Sequence, residues 1–76
     1  MNKQRRKDLD DALKLISDAR NIVENARDEE QEYFDNMPES FQFGDKGQDA
    51  EAAASNLDEA VNAFDEIESY ISEAQG

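Results

Sequence analysis

The feature of this sequence that most constrains its fold is a 3-4 spacing of small and apolar residues in both halves of the chain. From Leu9 the spacing continues to Tyr33 with one charged member, and from Ala50 it continues to Ala74 with none. Residues at this spacing lie along one side of an α-helix, as in coiled coils. We therefore predict two long helices that pack along this row, called the seam below. Its predicted members are Leu9, Ala12, Ile16, Ala19, Val23, Ala26, Glu30 and Tyr33, followed by Ala50, Ala53, Leu57, Ala60, Phe64, Ile67, Ile71 and Ala74.

A segment of helix-breaking residues separates the two rows. Pro38 disfavours helical geometry in the residue before it, and Gly44 and Gly47 supply flexible backbone soon afterwards. Asp45 is predicted to cap the start of the second helix with its side chain. The predicted elements are a helix over 3–36, a loop over 37–45 and a helix over 46–74.

The two helices are predicted to lie antiparallel. At about 1.5 Å per residue they are rods of roughly 40–50 Å, and the loop between them is short. The second rod therefore folds back along the first, which predicts an all-α, coiled-coil-like two-helix hairpin as a single domain over 1–76. A register that pairs Ala19 with Phe64 and Ala26 with Leu57 sets large residues against small ones, which permits close packing.

More apolar residues flank the seam than a two-helix contact can cover. Leu13, Leu15 and Ile22 lie beside it in the first half and Tyr70 in the second. Such a surplus predicts self-association into a four-helix dimer or a docked partner. A monomer in which long charged side chains cover these residues is the other interpretation.

The composition excludes several kinds of chemistry. The chain has no cysteine and no histidine, so it lacks the usual zinc ligands and the groups of Ser-His-Asp and Cys-His catalysis. Its acids number twenty, so pairs of carboxylates occur by chance, and two rods offer little concavity for a reaction. We predict no catalytic residue, no metal and no cofactor.

Charge is distributed unevenly along the chain. The net charge is −12, yet residues 1–27 hold seven Lys and Arg against five acids, while residues 28–76 hold one Lys against fifteen acids. The balance is thus +2 in the first segment and −14 in the second. Such acidity disfavours direct binding to nucleic acid or to anionic membranes and favours a protein partner with a basic surface. Without an apolar run long enough for a bilayer, a cytoplasmic protein is expected.

Acids recur every seven residues in the second helix, in "LDEA", "FDEI" and "ISEA". The heptad repeat predicts an acidic face opposite the seam. This face is either a solvated surface that keeps the protein soluble or a binding surface that imitates nucleic-acid phosphates. Its candidate partner-binding residues are Asp58, Glu59, Asp65, Glu66 and Glu73, with Asp28, Glu29 and Glu32 from the first helix.

Aromatic residues are concentrated in and beside the loop. One interpretation is a small plug, in which they fold over the shallow surface left by alanines at that end of the hairpin. The other is a binding tip formed by Met37, Phe41 and Phe43. The aromatic residues of this region are Tyr33, Phe34, Phe41 and Phe43.

The segment from "YFDNMPES" to "YISEA" resembles part of a family of small acidic helical proteins from bacteriophages and other mobile elements. Phe41 departs from the family pattern, which has leucine there. The resemblance implies a phage-like gene, a bacterial host cell and inhibition of host defence or nucleic-acid-binding proteins, and it supplies no catalytic residue. The matching residues are Tyr33, Asp35, Asn36, Met37, Pro38, Glu39, Gln42, Lys46, Gly47, Ala50, Glu51, Leu57 and Glu59.

Together these features favour a non-catalytic interaction module that binds a basic surface of a host protein, with nucleic-acid mimicry as one route. The alternative is a structural or assembly protein that acts through self-association of the hairpin. The first interpretation requires a protein partner and the second requires a homodimer or larger assembly.

Overall fold

The computed structural model describes residues 1–76 and contains three helices. They are α1 over Lys3–Asp35, α2 over Glu39–Gln42 and α3 over Asp45–Ala74. The two long helices pack against each other along a rod that measures 58 × 15 × 13 Å. The predicted antiparallel hairpin is confirmed, and its long helices begin and end within one residue of the predicted positions.

Side-chain and backbone hydrogen bonds define the two ends of α1. Asn2 caps the first turn, because its side-chain oxygen accepts a hydrogen bond from the backbone N–H of Arg5 at 2.8 Å. At the other end the backbone N–H of Asn36 donates to the carbonyl of Glu32 at 2.9 Å. Pro38 follows two residues later and cannot continue the helix.

The predicted loop contains a further helical turn. The carbonyl of Pro38 accepts hydrogen bonds from the backbone N–H groups of Phe41 and Gln42, at 2.8 and 3.1 Å. The short α2 that results packs against the start of α3. The sequence pattern missed it because four residues are too few to show a helical period.

Gly47 marks the place where α2 meets α3. Gly47 is buried, and a Cβ atom there would lie 2.2 Å from the carbonyl oxygen of Gln42 and 2.5 Å from that of Phe41. These oxygens belong to the backbone and cannot turn aside as a side chain could. The contact between the two helices therefore requires glycine at this position.

The start of α3 differs from the prediction. Gly44 is the capping residue and has no side chain to accept a hydrogen bond, while Asp45 is the first residue inside the helix. The predicted side-chain cap is therefore wrong. Asp45 still places a negative charge in the first turn, where the helix dipole favours it. The side-chain amide of Gln48 donates to the carbonyl of Phe43 at 3.3 Å.

The seam of α1 is close to the predicted one, but α3 is rotated about its axis. Along α3, Ala54 and Val61 are buried, whereas the predicted seam residue Ile67 is 44% exposed. Glu68 continues the row that Ala54 and Val61 begin, and its Oε1 is buried without a hydrogen-bond partner. In α1, Tyr33 is exposed and Phe34 is half-buried in its place.

The interior of the hairpin is thin. Only four residues are buried, namely Gly47, Ala50, Ala54 and Val61. The accessible surface is 5685 Å² for a chain of 8.6 kDa, whereas a compact monomer of this mass exposes about 4,700 Å². The elongated shape thus carries roughly 1,000 Å² of additional surface.

Candidate interaction surfaces

Two arginines of α1 form ion pairs with acids of α3 along one side of the seam. Arg20 Nε lies 2.7 Å from Asp65 Oδ1, and Arg27 Nη1 lies 2.8 Å from Asp58 Oδ1. We call these four residues the arginine edge. The predicted register places Ala63 opposite Arg20, and the acid that Arg20 reaches lies two residues further along α3, within the span of a guanidinium.

Hydrogen bonds to these acids raise the pKa of both arginines. For Arg20 the largest cause is the hydrogen bond to Asp65, and for Arg27 it is the hydrogen bond to Asp28, followed by that to Asp58. Partial desolvation opposes the rise in both pKa values. The pairs join the two helices at two levels that are one heptad apart.

The predicted acidic face is divided into two groups by these pairs. Asp58 and Asp65 face the seam and are bound to arginines, and Asp28 lies 3.1 Å from Arg27. The other five are exposed and form no ion pair within 4.0 Å. These free acids are Glu59, Glu66 and Glu73 on the outer side of α3 and Glu29 and Glu32 on α1.

Four apolar side chains are exposed on the side of the hairpin opposite the arginine edge. Leu15 and Ile22 of α1 are each 70% exposed, and Tyr70 of α3 is 72% exposed. Ile67 joins them because of the rotation of α3. We call these four residues the apolar edge. Leu13 does not belong to it, since it is half-buried and occupies the same heptad position as Arg20, on the arginine edge's side of α1.

The loop tip exposes two of its three predicted binding residues. Phe41 and Phe43 are 60% and 75% exposed, whereas Met37 is half-buried. The plug interpretation is therefore wrong for the two phenylalanines. The tip is held by Gln42, whose side-chain amide donates to the carbonyl of Phe34 at 3.1 Å.

The basic start of α1 is also free of ion pairs. Lys3, Arg5, Arg6 and Lys7 are exposed, and none has a carboxylate within 4.0 Å. The nearest side-chain bond in this segment joins the amide of Gln4 to the carboxylate of Asp8 at 2.9 Å. The hairpin thus has a positive end beside a negative body.

Concave surface is limited to two shallow grooves beside the first half of α3. The larger has a volume of about 380 Å³ and lies next to the arginine edge, with Asp28 and Glu51 in its lining. The smaller has a volume of about 360 Å³ and includes Glu30, Tyr33 and Lys46. No cluster of three or more potential metal ligands is present, and no helix has the length and apolarity that crossing a bilayer requires.

Two residues with clear structural roles escaped the sequence analysis as separate features. Gln42 and Gly47 belong to the loop motif. Their spacing alone does not show that Gln42 hydrogen-bonds to α1 or that Gly47 leaves room for the backbone of α2. Ile67 falls in the predicted seam by the 3-4 count from Ala50, but it is 44% exposed in the structure. A stronger signal was the pairing of acids and arginines across the predicted hairpin.

No protein-family model matches this sequence, and comparison with curated proteins and with solved structures likewise finds no match.

Proposed function

We propose that this protein is a non-catalytic interaction module that binds a basic surface of another protein. The observation that carries the proposal is the row of Glu59, Glu66 and Glu73, which are exposed, unpaired and aligned by the heptad repeat. The arginines that neutralise other acids do not reach this row. A surface with one sign of charge attracts a partner of the opposite sign and accelerates its association.

The partner we propose is a host defence or nucleic-acid-binding protein in a bacterial cell, and the effect is inhibition. The resemblance to phage and mobile-element proteins supports this assignment, as does the balance of −14 over residues 28–76. Proteins that bind nucleic acid expose basic surfaces, which an acidic inhibitor can occupy. The proposed location is therefore the cytoplasm of the host.

The spacing of the free acids limits how closely the protein imitates duplex DNA. Along α3 the free glutamates recur once per heptad, a rise of about 10.5 Å. Duplex DNA carries one charge per 1.7 Å, or roughly six over the same length. Because Asp58 and Asp65 are bound to arginines, they do not fill this gap. The geometry favours occupation of a basic protein surface over close mimicry of a duplex.

Charge reversal on the outer side of α3 tests the proposal. Binding would be measured by calorimetry at physiological salt against bacterial nucleases and guide-RNA complexes with basic grooves. The first variant reverses the three free glutamates, and the matched control reverses three exposed acids elsewhere, so that net charge is equal. The substitutions are Glu59→Lys, Glu66→Lys and Glu73→Lys in the first and Asp10→Lys, Asp35→Lys and Glu39→Lys in the second. Loss of binding in the first variant alone supports the proposal, and equal binding by both variants contradicts it.

A second function, assembly through self-association, is favoured by the exposure of Leu15, Ile22 and Tyr70. It predicts a dimer or larger species whose mass is independent of salt. Light scattering at low and high salt would detect it, and Leu15→Glu or Ile22→Glu should dissociate it. A monomer at all concentrations would contradict this function.

A further inference from the structure

The apolar edge is continuous across both helices. On α1, Leu15 and Ile22 each come one position before a seam residue. Arg20 comes one position after the seam residue Ala19. At 100° per residue these positions lie on opposite sides of the seam. The same relation holds on α3, where Ile67 and Tyr70 lie on the side away from Asp65 and Asp58. The exposed apolar residues of the two helices therefore share one side of the rod.

The ion pairs also show at which level along the rod these residues lie. Since Arg20 reaches Asp65 and α3 runs antiparallel to α1, Leu15 lies within about one turn of the level of Ile67 and Tyr70. Ile22 lies nearer Ala60 and Ala63, whose small side chains leave the surface shallow. The result is an exposed apolar stripe, with large side chains at one end and alanines at the other.

Acids border this stripe on both helices. Asp11 and Asp18 lie beside Leu15 on the outer side of α1, and Glu66 and Glu73 lie beside Tyr70 on α3; all four are exposed and unpaired. The nearest cation, Lys14, lies further round the back of α1. The stripe is therefore apolar along its centre and negative along its borders.

Charge distinguishes two possible occupants of the apolar edge. A second copy of the chain would fit the apolar centre but would set acids against acids along both borders, at a net charge of −12 for each copy. Like charges opposed across an interface cost several kcal/mol. A partner with Lys or Arg beside its own apolar stripe would gain from the same borders.

We propose that the apolar edge is the docking surface for a basic amphipathic helix of the partner protein. This inference rests on the proposed function, because it names the partner element that the acidic surface takes. Leucine-type residues of the incoming helix pack against Leu15, Ile22, Ile67 and Tyr70, and its flanking lysines or arginines meet the bordering acids. The complex is then a three-helix arrangement, in which apolar burial along the edge supplies the affinity.

Two synthetic helical peptides of equal length and equal lysine content test the inference. One carries leucines at i, i+3 and i+4 spacing, and the other carries glutamines in place of every leucine. Both would be titrated against the full chain in a calorimeter, with circular dichroism of each variant to check helicity. The apolar-edge variant combines Leu15→Ser with Ile22→Ser, and the matched control combines Phe41→Ser with Phe43→Ser at the loop tip.

We expect the leucine peptide to bind at least about tenfold more tightly than the glutamine peptide, because apolar burial adds to charge attraction. The apolar-edge variant should lose at least about tenfold in affinity for the leucine peptide, and the tip variant should bind as the original chain does. Tyr70→Ser provides a second variant on the other helix, so the test does not depend on one substitution.

Three outcomes would overturn the inference. Equal affinity for both peptides, or an apolar-edge variant that binds as well as the original, would leave the acidic attraction standing and remove the apolar docking surface. A dimer that Leu15→Ser and Ile22→Ser dissociate would assign the surface to a second copy. Failure of both peptides to bind would count against the proposed function itself.

Discussion

Arg27 of α1 and Asp58 of α3 lie 31 positions apart in the sequence, and their side chains are joined by a hydrogen bond of 2.8 Å. The bond closes the space between the two long helices and shows which side of α3 faces α1. It is repeated one heptad away, where Arg20 meets Asp65 at 2.7 Å. These two bonds mark the register of the hairpin, and the exposed apolar residues lie on the side opposite them.

Removal of the acid at position 58 should weaken the hairpin slightly. We expect Asp58→Asn to lower the free energy of unfolding slightly, because the pair is partly exposed and such pairs contribute little. The matched control is Glu59→Gln, which removes a neighbouring acid that has no partner and should be neutral or mildly stabilising. Urea unfolding of Asp58→Asn, of Arg27→Gln and of the variant that combines them would measure the coupling energy between the two side chains. An equal effect of Asp58→Asn and Glu59→Gln would mean that the pair does not stabilise the hairpin.

A methyl group at Gly47 should disrupt the contact between α2 and α3. The backbone oxygens of Gln42 and Phe41 stand where the new Cβ would lie, so we expect Gly47→Ala to destabilise by about 1–3 kcal/mol despite the better helix propensity of alanine. Gly44→Ala is the control, since the nearest oxygen there is 3.4 Å from the new atom. Thermal melts followed by circular dichroism would compare them. If Gly47→Ala melts at the original temperature or above, the close approach is not a constraint.

The amide of Gln42 should be required as a hydrogen-bond donor. In Gln42→Glu the side chain keeps its shape but cannot donate when ionised, and it sets a negative charge near the carbonyl end of α1. We expect a loss of about 1–2 kcal/mol in the free energy of unfolding. Gln48→Glu is the matched control, because its negative charge lies in the first turn of α3, where the dipole favours it. A reversed order of stability in urea titrations would contradict the assignment of Gln42.

The loop-tip phenylalanines should be dispensable for folding. Phe41 and Phe43 are largely exposed, so we expect each substitution by serine to change the free energy of unfolding by less than about 0.5 kcal/mol. Phe34→Ser should cost about 2 kcal/mol, since Phe34 is half-buried against the hairpin. The three variants would be compared by chemical denaturation. A large effect of Phe41→Ser or Phe43→Ser would restore the plug interpretation.

Added salt should stabilise the fold. The net charge of −12 opposes the compact state through self-repulsion, and the Debye length falls from about 30 Å at 0.01 M salt to about 3 Å at 1 M. We expect the melting temperature to rise with sodium chloride, by less in the variant with Glu59, Glu66 and Glu73 reversed to lysine. Melts in an uncharged osmolyte of equal concentration separate screening from general exclusion. A fall in melting temperature with salt would mean that the arginine pairs outweigh the repulsion.

The helices of this protein could be predicted because strong local signals bound them. Pro38 cannot continue a helix, so the end of α1 follows from a single residue. The hairpin follows from rod length and loop length. None of these inferences needs knowledge of which residues touch, and all were confirmed.

Apolar spacing alone did not predict the rotation of α3, because its alternative seams differ by little apolar area. The 3-4 count from Ala50 takes Ala53 and Ala60, whereas the structure buries Ala54 and Val61. The ion pairs of Arg20 and Arg27 lie on the side that this rotation turns toward α1, and they join residues far apart in sequence. The apolar edge and the division of the acidic face both follow from that rotation. Contacts of this kind are set by tertiary packing and leave no local pattern.

The rod shape affects the apparent size of the protein in solution and the way it tumbles. The radius of gyration is 17.2 Å, a value that a compact chain reaches only at about 220 residues. A gel-filtration column calibrated with spherical standards would therefore report a single hairpin as an oligomer. Rotational diffusion should also be anisotropic, with slow tumbling of the long axis and rapid rotation about it. NMR relaxation rates should therefore differ between backbone N–H bonds parallel to the rod and those perpendicular to it.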